Sequence, residues 1–395
     1  MARRRALSAL AALSVFAAMF GMSPIAHAWA PGTCPSRPHL PAPAPSGVPW
    51  PLQRYDQARL NPLADGHGIV VAVIDSGVDP RNPQLRGAVQ PGPDQLDGGE
   101  SVLDCVGHGT GVAGIIAARP SPATPFRGLA PAATILALRV SEQVEADNGT
   151  LTGRRGTPAG LAAAIRDAVG RHARVINLSL VSYSDDAAVR DAIAFARDSD
   201  VVVVAAVGNG AEQGNQTPYP AAYDGVIGVG SVAADGQRAP TSQTGPYVDL
   251  VAPGAQIVTT ATPDGWATMD GTSFAAPFVS AAAALLRQYR PELSAPEVAA
   301  QLIATADGGH AGPGYGAGLL NPYRALTERT GASPNPPARS LARPARDDTA
   351  AERATATRTS LTWALSGLSA ILLAVTLAAI LPRGRRRSWR PGLRD

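Results

Sequence analysis

Three polar residues in short glycine-containing segments could together perform acid–base and nucleophilic chemistry. Asp75 follows the apolar run 69–74, His108 lies in a Gly-His-Gly segment, and Ser273 follows Gly-Thr at the start of an apolar stretch. A serine hydroxyl is a weak nucleophile, and an imidazole with a pKa near about 6.5 is suited to accept its proton. A buried carboxylate would orient that imidazole and stabilise its cation. The sequence therefore predicts a catalytic triad of Asp75, His108 and Ser273.

A fourth residue could stabilise the transition state. Asn209 lies between two glycines directly after an apolar run, and its amide could donate a hydrogen bond to an oxyanion. The backbone N–H of Ser273 would be a second donor if this residue begins a helix, where the helix dipole also favours negative charge. We therefore predict that Asn209 forms part of an oxyanion hole.

Each of these residues also has a simpler explanation when it is considered alone. An Asp after a strand is commonly a turn or N-cap residue, and a Ser before a helix is commonly a cap. The His could be structural, and an Asn between glycines commonly forms a turn. The order acid, imidazole, hydroxyl, with all four groups at strand ends or helix starts, favours catalysis over four separate structural roles.

Apolar runs alternate with helical patterns along the middle of the chain. Short apolar runs indicate strands that are buried on both faces of a parallel sheet; they cover 69–74, 134–138, 175–178, 201–206 and 226–229. Helical patterns cover 111–118, 160–169, 187–197 and 272–287, and Ser294 with Glu297 predicts a capped helix. This alternation predicts an α/β fold with three layers, in which a mainly parallel central sheet is flanked by helices. Active groups should collect at the carboxyl ends of its strands.

The N-terminal residues 1–28 have the pattern of a signal peptide. Three arginines precede an apolar stretch, and Ala26-His27-Ala28 offers a cleavage site. An uncleaved anchor helix is the alternative. Residues 29–66 form a Pro-rich extension, which predicts extended backbone along the surface of a domain covering 67–330.

A second apolar segment lies near the C-terminus. Residues 361–381 form 21 uncharged positions, long enough to span a bilayer, and the basic tail 382–395 follows them. Positive residues remain on the cytoplasmic side, so the sequence predicts one transmembrane helix with the domain outside and the C-terminus inside. A buried core helix is the alternative. The polar residues 331–360 would be a linker.

The charge distribution argues against a nucleic-acid partner. Arg3, Arg4 and Arg5 contribute +3 and residues 382–395 contribute +5 to a net charge of +3, so the rest of the chain carries −5.

The two cysteines, Cys34 and Cys105, would be exported to an oxidising compartment. We predict that they form a disulfide, with two unpaired thiols as the alternative.

The chain resembles the subtilase family of serine proteases from about Trp50 to Tyr323. The resemblance includes the triad segments and the stretches 175–180, 229–232 and 249–254. It implies that the residues bordering the substrate cleft are Ser179, Leu180, Val181 and Ser182. Subtilases usually have Gly-Gly at the last two of these positions, so we expect a narrower pocket rim here. The family often binds calcium, but no ligand set matches: Asp79, Asp94, Asp97 and Asp104 lie in predicted loops where solvation explains them, and no metal or other cofactor is expected.

The wider arrangement is similar to the mycosins, membrane-bound proteases associated with type VII secretion. The similarity rests on the signal peptide, the Cys-containing extension, Cys105 just before His108, the linker and the terminal helix. It implies a membrane-anchored endopeptidase that acts on proteins or peptides beside a secretion complex, with an extension that wraps the domain. The alternative function is mainly structural: the domain would stabilise the membrane complex, and proteolysis would be secondary.

Overall fold

A seven-stranded parallel sheet lies at the centre of the computed structural model, which describes residues 42–101, 103–145, 151–308 and 312–330. The strands in these ranges are β1 Val70–Asp75, β2 Val89–Asp94, β3 Thr134–Arg139, β4 Val144–Glu145, β5 Leu151–Thr152, β6 Val175–Leu178, β7 Val202–Ala206, β8 Val226–Val232, β9 Leu250–Pro253, β10 Ile257–Thr260 and β11 Trp266–Met269. The α-helices there are α1 Trp50–Tyr55, α2 Gln57–Leu60, α3 His108–Ala117, α4 Pro158–Gly170, α5 Ala187–Asp198, α6 Thr272–Tyr289, α7 Ala295–Ala304 and α8 Pro322–Thr327.

The strand order in the main sheet is β2-β3-β1-β6-β7-β8-β9, and all neighbouring pairs are parallel. Strand β1 lies inside the sheet, with β3 on one side and β6 on the other. Two antiparallel hairpins, β4–β5 and β10–β11, lie outside it. The carboxyl ends of β1, β6 and β7 therefore meet at one edge, which is where polar groups of this fold class collect.

The two faces of the sheet are covered by different helices. On β1, the side chains of Val71 and Val73 belong to the same apolar cluster as α3 and α6, whereas Ala72 and Ile74 pack with α4 and α5. Successive residues of a strand point to opposite faces, so uninterrupted apolar runs are required when both faces are buried. The prediction of an α/β fold with a mainly parallel central sheet between helical layers is confirmed.

The segment before the sheet differs from the sequence prediction. Extended backbone was expected throughout 29–66, but the chain forms the short helices α1 and α2. Pro51 lies at the start of α1, where its missing N–H costs no hydrogen bond and its fixed φ favours the helix. Leu52, Tyr55 and Leu60 are buried, so part of the predicted surface extension contributes to the core.

The predicted ends of the chain are not part of the described structure. The signal peptide 1–28, the linker 331–360, the span 361–381 and the tail 382–395 all lie outside the described ranges. No helix within those ranges is both long and apolar enough to cross a bilayer. The transmembrane helix therefore stays a prediction.

Candidate active site

The predicted acid and base are in direct contact. Asp75 is the last residue of β1 and His108 is the first residue of α3, and the His108 Nδ1 lies 2.7 Å from the Asp75 Oδ1. The same carboxylate oxygen accepts a hydrogen bond of 2.7 Å from the Ser76 backbone N–H. The Asp75 Oδ2 is buried and has no hydrogen-bond partner among the described residues. Asp75 can thus fix the imidazole tautomer and stabilise its cation.

The electrostatic environment of His108 favours its protonated form. Burial of the imidazole lowers its pKa, but the charge and hydrogen bond of Asp75, with the charge of Asp104, outweigh that effect. The pKa of His108 is consequently raised above its ordinary value. A raised pKa strengthens the imidazole as a base, and it also means that the neutral form becomes the predominant one at a higher pH than for an ordinary imidazole.

The predicted nucleophile is the second residue of α6. Every residue from Thr272 to Arg287 is buried except Ser273, which is partly exposed. The Ser273 hydroxyl donates to the Ser179 carbonyl oxygen at 3.3 Å, and the Ser179 hydroxyl donates to the Ser273 carbonyl oxygen at 2.7 Å. These contacts fix the start of α6 against the residue that follows β6.

The Ser273 hydroxyl and the imidazole of His108 are not hydrogen-bonded in the described structure. Both side chains line the same cleft, and the ring of His108 lies 5.1 Å from the ring of Phe274, the neighbour of Ser273 in the chain. The bond to Ser179 is long, and rotation about the Cα–Cβ bond of Ser273 releases it. Catalytic hydrogen bonds commonly tighten only when substrate binds, so this arrangement is compatible with proton transfer.

The predicted oxyanion residue is oriented by the same helix. The Asn209 Oδ1 accepts from the Thr272 N–H at 3.0 Å and from the Thr272 hydroxyl at 3.2 Å, so Nδ2 is the donor end of the side chain. Gly208 before it has a φ of +88°, and a Cβ there would lie 2.3 Å from the Gln243 Oε1. The positive φ favours glycine at this turn, which places Asn209 in the cleft beside Ser273.

Of the predicted site residues that the structure describes, all except Asp75 and Cys105 line one cleft of about 620 Å³. The backbone of Ser182 pairs with that of Tyr219 through hydrogen bonds of 2.7 and 2.8 Å. A Cβ on Gly208 would lie 3.4 Å from the Val181 Cγ2, so the isopropyl group covers the turn that presents Asn209. A glycine at position 181 would leave this space open, and the narrower pocket rim stays a prediction.

The structure corrects the explanation of the loop carboxylates. Asp79, Asp94 and Asp104 were expected to be solvated, but each is buried and hydrogen-bonded. Asp79 pairs with Arg81, and Arg139 pairs with Asp94. Asp97 is about one-third exposed and pairs with Arg139 and Arg154. Within the described ranges, there is no group of three or more His, Cys, Asp or Glu that could hold a metal ion.

Sequence reasoning missed the residues that support the site from behind. Thr272 orients Asn209, and Tyr219 and Tyr223 line the cleft with their ring centroids 4.8 Å apart. These roles arise from contacts between distant segments, for which the sequence contains no local signal. The predicted Cys34–Cys105 disulfide also stays a prediction, since Cys34 lies outside the described residues.

Comparison with known proteins identifies relatives for the described domain. The sequence profile of the subtilase family matches residues 66–328. The thermophilic serine proteinase of Bacillus sp. (strain AK1) is 39% identical over 279 residues, which are 70% of this chain and 66% of that protein. Mycosin-1 of Mycolicibacterium smegmatis (strain ATCC 700084 / mc(2)155) is 32% identical over 328 residues, covering 71% of this chain and 72% of the relative.

Solved structures give the same result. The crystal structure of MycP1 from Mycobacterium smegmatis has a TM-score of 0.62 at 29% identity and covers 76% of this chain and 91% of its own. The MycP3 protease from the type VII (ESX-3) secretion system has a TM-score of 0.61 at 29% identity, with coverage of 75% and 93%. Fold and sequence thus point to the same relatives.

Proposed function

This chain belongs to the subtilase family of serine proteases, and we propose that it cleaves peptide bonds with the triad Asp75, His108 and Ser273. The observation that carries this proposal is the 2.7 Å contact between Asp75 and His108, in a cleft that also contains Ser273. Strand β1 and helix α3 fix the acid and the base, and helix α6 presents the alcohol.

The first half of the reaction forms an acyl-enzyme. Neutral His108 accepts the proton of the Ser273 hydroxyl as the oxygen attacks the scissile carbonyl carbon, and Asp75 stabilises the resulting imidazolium. The carbonyl oxygen becomes an oxyanion that accepts hydrogen bonds from the Asn209 Nδ2 and the Ser273 backbone N–H. The C–N bond then breaks, and His108 gives its proton to the departing amine.

The second half regenerates the enzyme. A water molecule loses a proton to His108 and attacks the ester carbonyl, again with negative charge on the oxygen in the oxyanion hole. Collapse of this intermediate releases the acid product and returns the proton to Ser273. All groups required for both halves lie on three secondary-structure elements and one glycine turn, which preserves their spacing.

Hydrolysis by matched variants tests this proposal. The full-length chain in mild detergent should hydrolyse a protein substrate, and Ser273→Ala should lose this activity while keeping the same unfolding midpoint. As a control, Ser294→Ala affects only the cap of α7 and should retain activity. Equal hydrolysis by the wild type and Ser273→Ala would exclude the proposed nucleophile.

We also propose that the domain acts outside the cytoplasm, held by residues 361–381 next to a type VII secretion complex. The sequence pattern of the two ends supports this topology, and similarity to Mycosin-1 and to MycP3 of the ESX-3 system supports the association. The proposed segments are the signal peptide 1–28, the Pro-rich extension 29–66, the peptidase domain 67–330, the linker 331–360, the transmembrane helix 361–381 and the basic tail 382–395. When protease is added to intact cells, we expect it to digest the domain and to leave the C-terminal tail uncut.

A structural role in the membrane complex is a second candidate function. The packing of the N-terminal segment favours it: Trp50 donates to the Ala255 carbonyl oxygen at 3.1 Å, and Ala42 pairs with Trp266. Neither contact involves a residue that lines the cleft containing Ser273. Expression of Ser273→Ala in cells lacking the protein separates the functions, since full restoration of secretion would assign the essential role to the fold.

A further inference from the structure

The geometry points to Asp104 as a positioning residue for the reaction, which holds the first turn of α3, and with it His108, against Asp75. This inference rests on the proposed triad. Asp104 lies four residues before His108 and does not line the cleft, so it acts through other residues and does not touch substrate.

Five hydrogen bonds converge on the Asp104 carboxylate, which is only 2% exposed. The Oδ1 accepts from the Ser76 hydroxyl at 2.9 Å and from the backbone N–H groups of Val106 and Gly107 at 3.2 and 2.7 Å. The Oδ2 accepts from the Thr110 N–H at 2.8 Å and from the Thr110 hydroxyl at 2.6 Å. So many donors on one buried carboxylate hold its neighbours in a single arrangement.

These bonds replace the cap that helix α3 lacks. Its N-cap residue is Gly107, which has no side chain to accept the N–H groups of the first turn. Asp104 accepts the N–H of Thr110, and the Ser76 hydroxyl accepts the N–H of Gly109 at 2.9 Å. His108 is the first residue of this turn, so Asp104 fixes the backbone from which the imidazole projects.

Ser76 connects Asp104 to Asp75, the acid of the triad. Ser76 donates its hydroxyl to Asp104 and its backbone N–H to the Asp75 Oδ1, which binds His108. Asp104 therefore positions both partners of the acid–base pair: His108 through the helix start and Asp75 through Ser76.

Asp104 also contributes charge. Burial raises the pKa of Asp104 to about 6, although the Thr110 and Ser76 hydrogen bonds lower it, and the charge of Asp75 raises it further. The charges that raise the pKa of His108 are those of Asp75 and Asp104. Asp79, behind Thr110, is paired with Arg81. Removal of the Asp104 charge should lower the pKa of His108 and move the acid limb of activity to lower pH.

The pH profile of Asp104→Asn tests the inference in the full-length enzyme. Asparagine keeps the shape of the side chain but replaces one acceptor oxygen with a donor. We expect kcat to fall by about 10–100-fold, because small displacements of a catalytic group have effects of this order. The KM should change less than threefold, and the acid limb should move to lower pH. The matched control is Asp94→Asn, which removes another buried carboxylate without a contact to the triad and should leave the acid limb unchanged.

A second variant decides the question if Asp104→Asn does not fold. Ser76→Ala removes the hydroxyl that joins Asp104 to Asp75 and accepts the Gly109 N–H, without changing charge, while Asp104 keeps its contacts to Val106, Gly107 and Thr110. This variant should lower kcat several-fold with an unchanged acid limb. Wild-type kcat in Ser76→Ala, or a folded Asp104→Asn with wild-type kcat and acid limb, would overturn the inference. Failure of the triad proposal is distinguishable, because the wild type itself would then be inactive.

Discussion

Replacement of Asn209 with aspartate separates transition-state stabilisation from folding. The Asn209 Oδ1 accepts two hydrogen bonds from Thr272, and an aspartate oxygen can accept both. The Nδ2, however, becomes an oxygen that repels the developing oxyanion. Loss of one oxyanion donor costs about 2.7–4 kcal/mol of barrier, so kcat should fall by at least about 10²–10³-fold, with little change in KM.

Alanine at the same position provides the matched comparison. Asn209→Ala also loses the donor, but it leaves the Thr272 N–H and hydroxyl without their acceptor. At about 1 kcal/mol for each hydrogen bond, we expect a loss of about 2 kcal/mol in the free energy of unfolding, which Asn209→Asp should largely avoid. Steady-state kinetics and urea unfolding of both variants measure these quantities. A kcat within tenfold of the wild type in Asn209→Asp would refute the assigned role.

Three further predictions follow from the geometry. Because the pKa of His108 is raised, the imidazole becomes protonated at a higher pH than an ordinary histidine when the solution is acidified. The kcat/KM should therefore fall on acidification with a midpoint above about pH 6.5, and a flat profile down to pH 5 would contradict this. Val181→Gly should open the pocket. For peptides that differ only in the residue before the scissile bond, the ratio of kcat/KM for a bulky residue to kcat/KM for alanine should rise in this variant, and an unchanged ratio would argue against a narrowed rim. Arg139→Ala leaves buried Asp94 without its cation and should lower the free energy of unfolding, measured in urea, by about 3–5 kcal/mol. Arg154 is half-exposed, so Arg154→Ala should lower it by about 1 kcal/mol or less, and equal losses in the two variants would refute this distinction.

The main strands and helices could be predicted because their signals are local. The runs 69–74 and 175–178 lie within one residue of strands β1 and β6, since strands buried on both faces require continuous apolar sequence. The two sequence signals for the start of α3 differed. The apolar pattern indicated 111–118, whereas the triad segment placed His108 at a helix start, and the helix does begin at His108, where Asp104 and Ser76 supply the cap from outside.

Long-range contacts explain what the sequence did not reveal. The hairpin β10–β11 was not predicted, and its position is fixed by hydrogen bonds of Thr259 and Thr260 to the carbonyl oxygens of Gly111 and Thr110 in α3. The burial of Asp104 has the same origin, because its donors come from segments that are separate in sequence. Positions of single residues were predictable from motifs, whereas their supporting contacts were not.

Covalent labelling at Ser273 tests the central claim most directly. A fluorophosphonate reacts only with a serine whose proton a neighbouring base can accept, so incubation with the folded chain should phosphonylate Ser273 and no other serine. Peptide mapping by mass spectrometry locates the adduct. We predict complete loss of labelling after heat denaturation and in Ser273→Ala. An adduct that persists in Ser273→Ala, or a folded wild-type protein that remains unlabelled, would contradict the account.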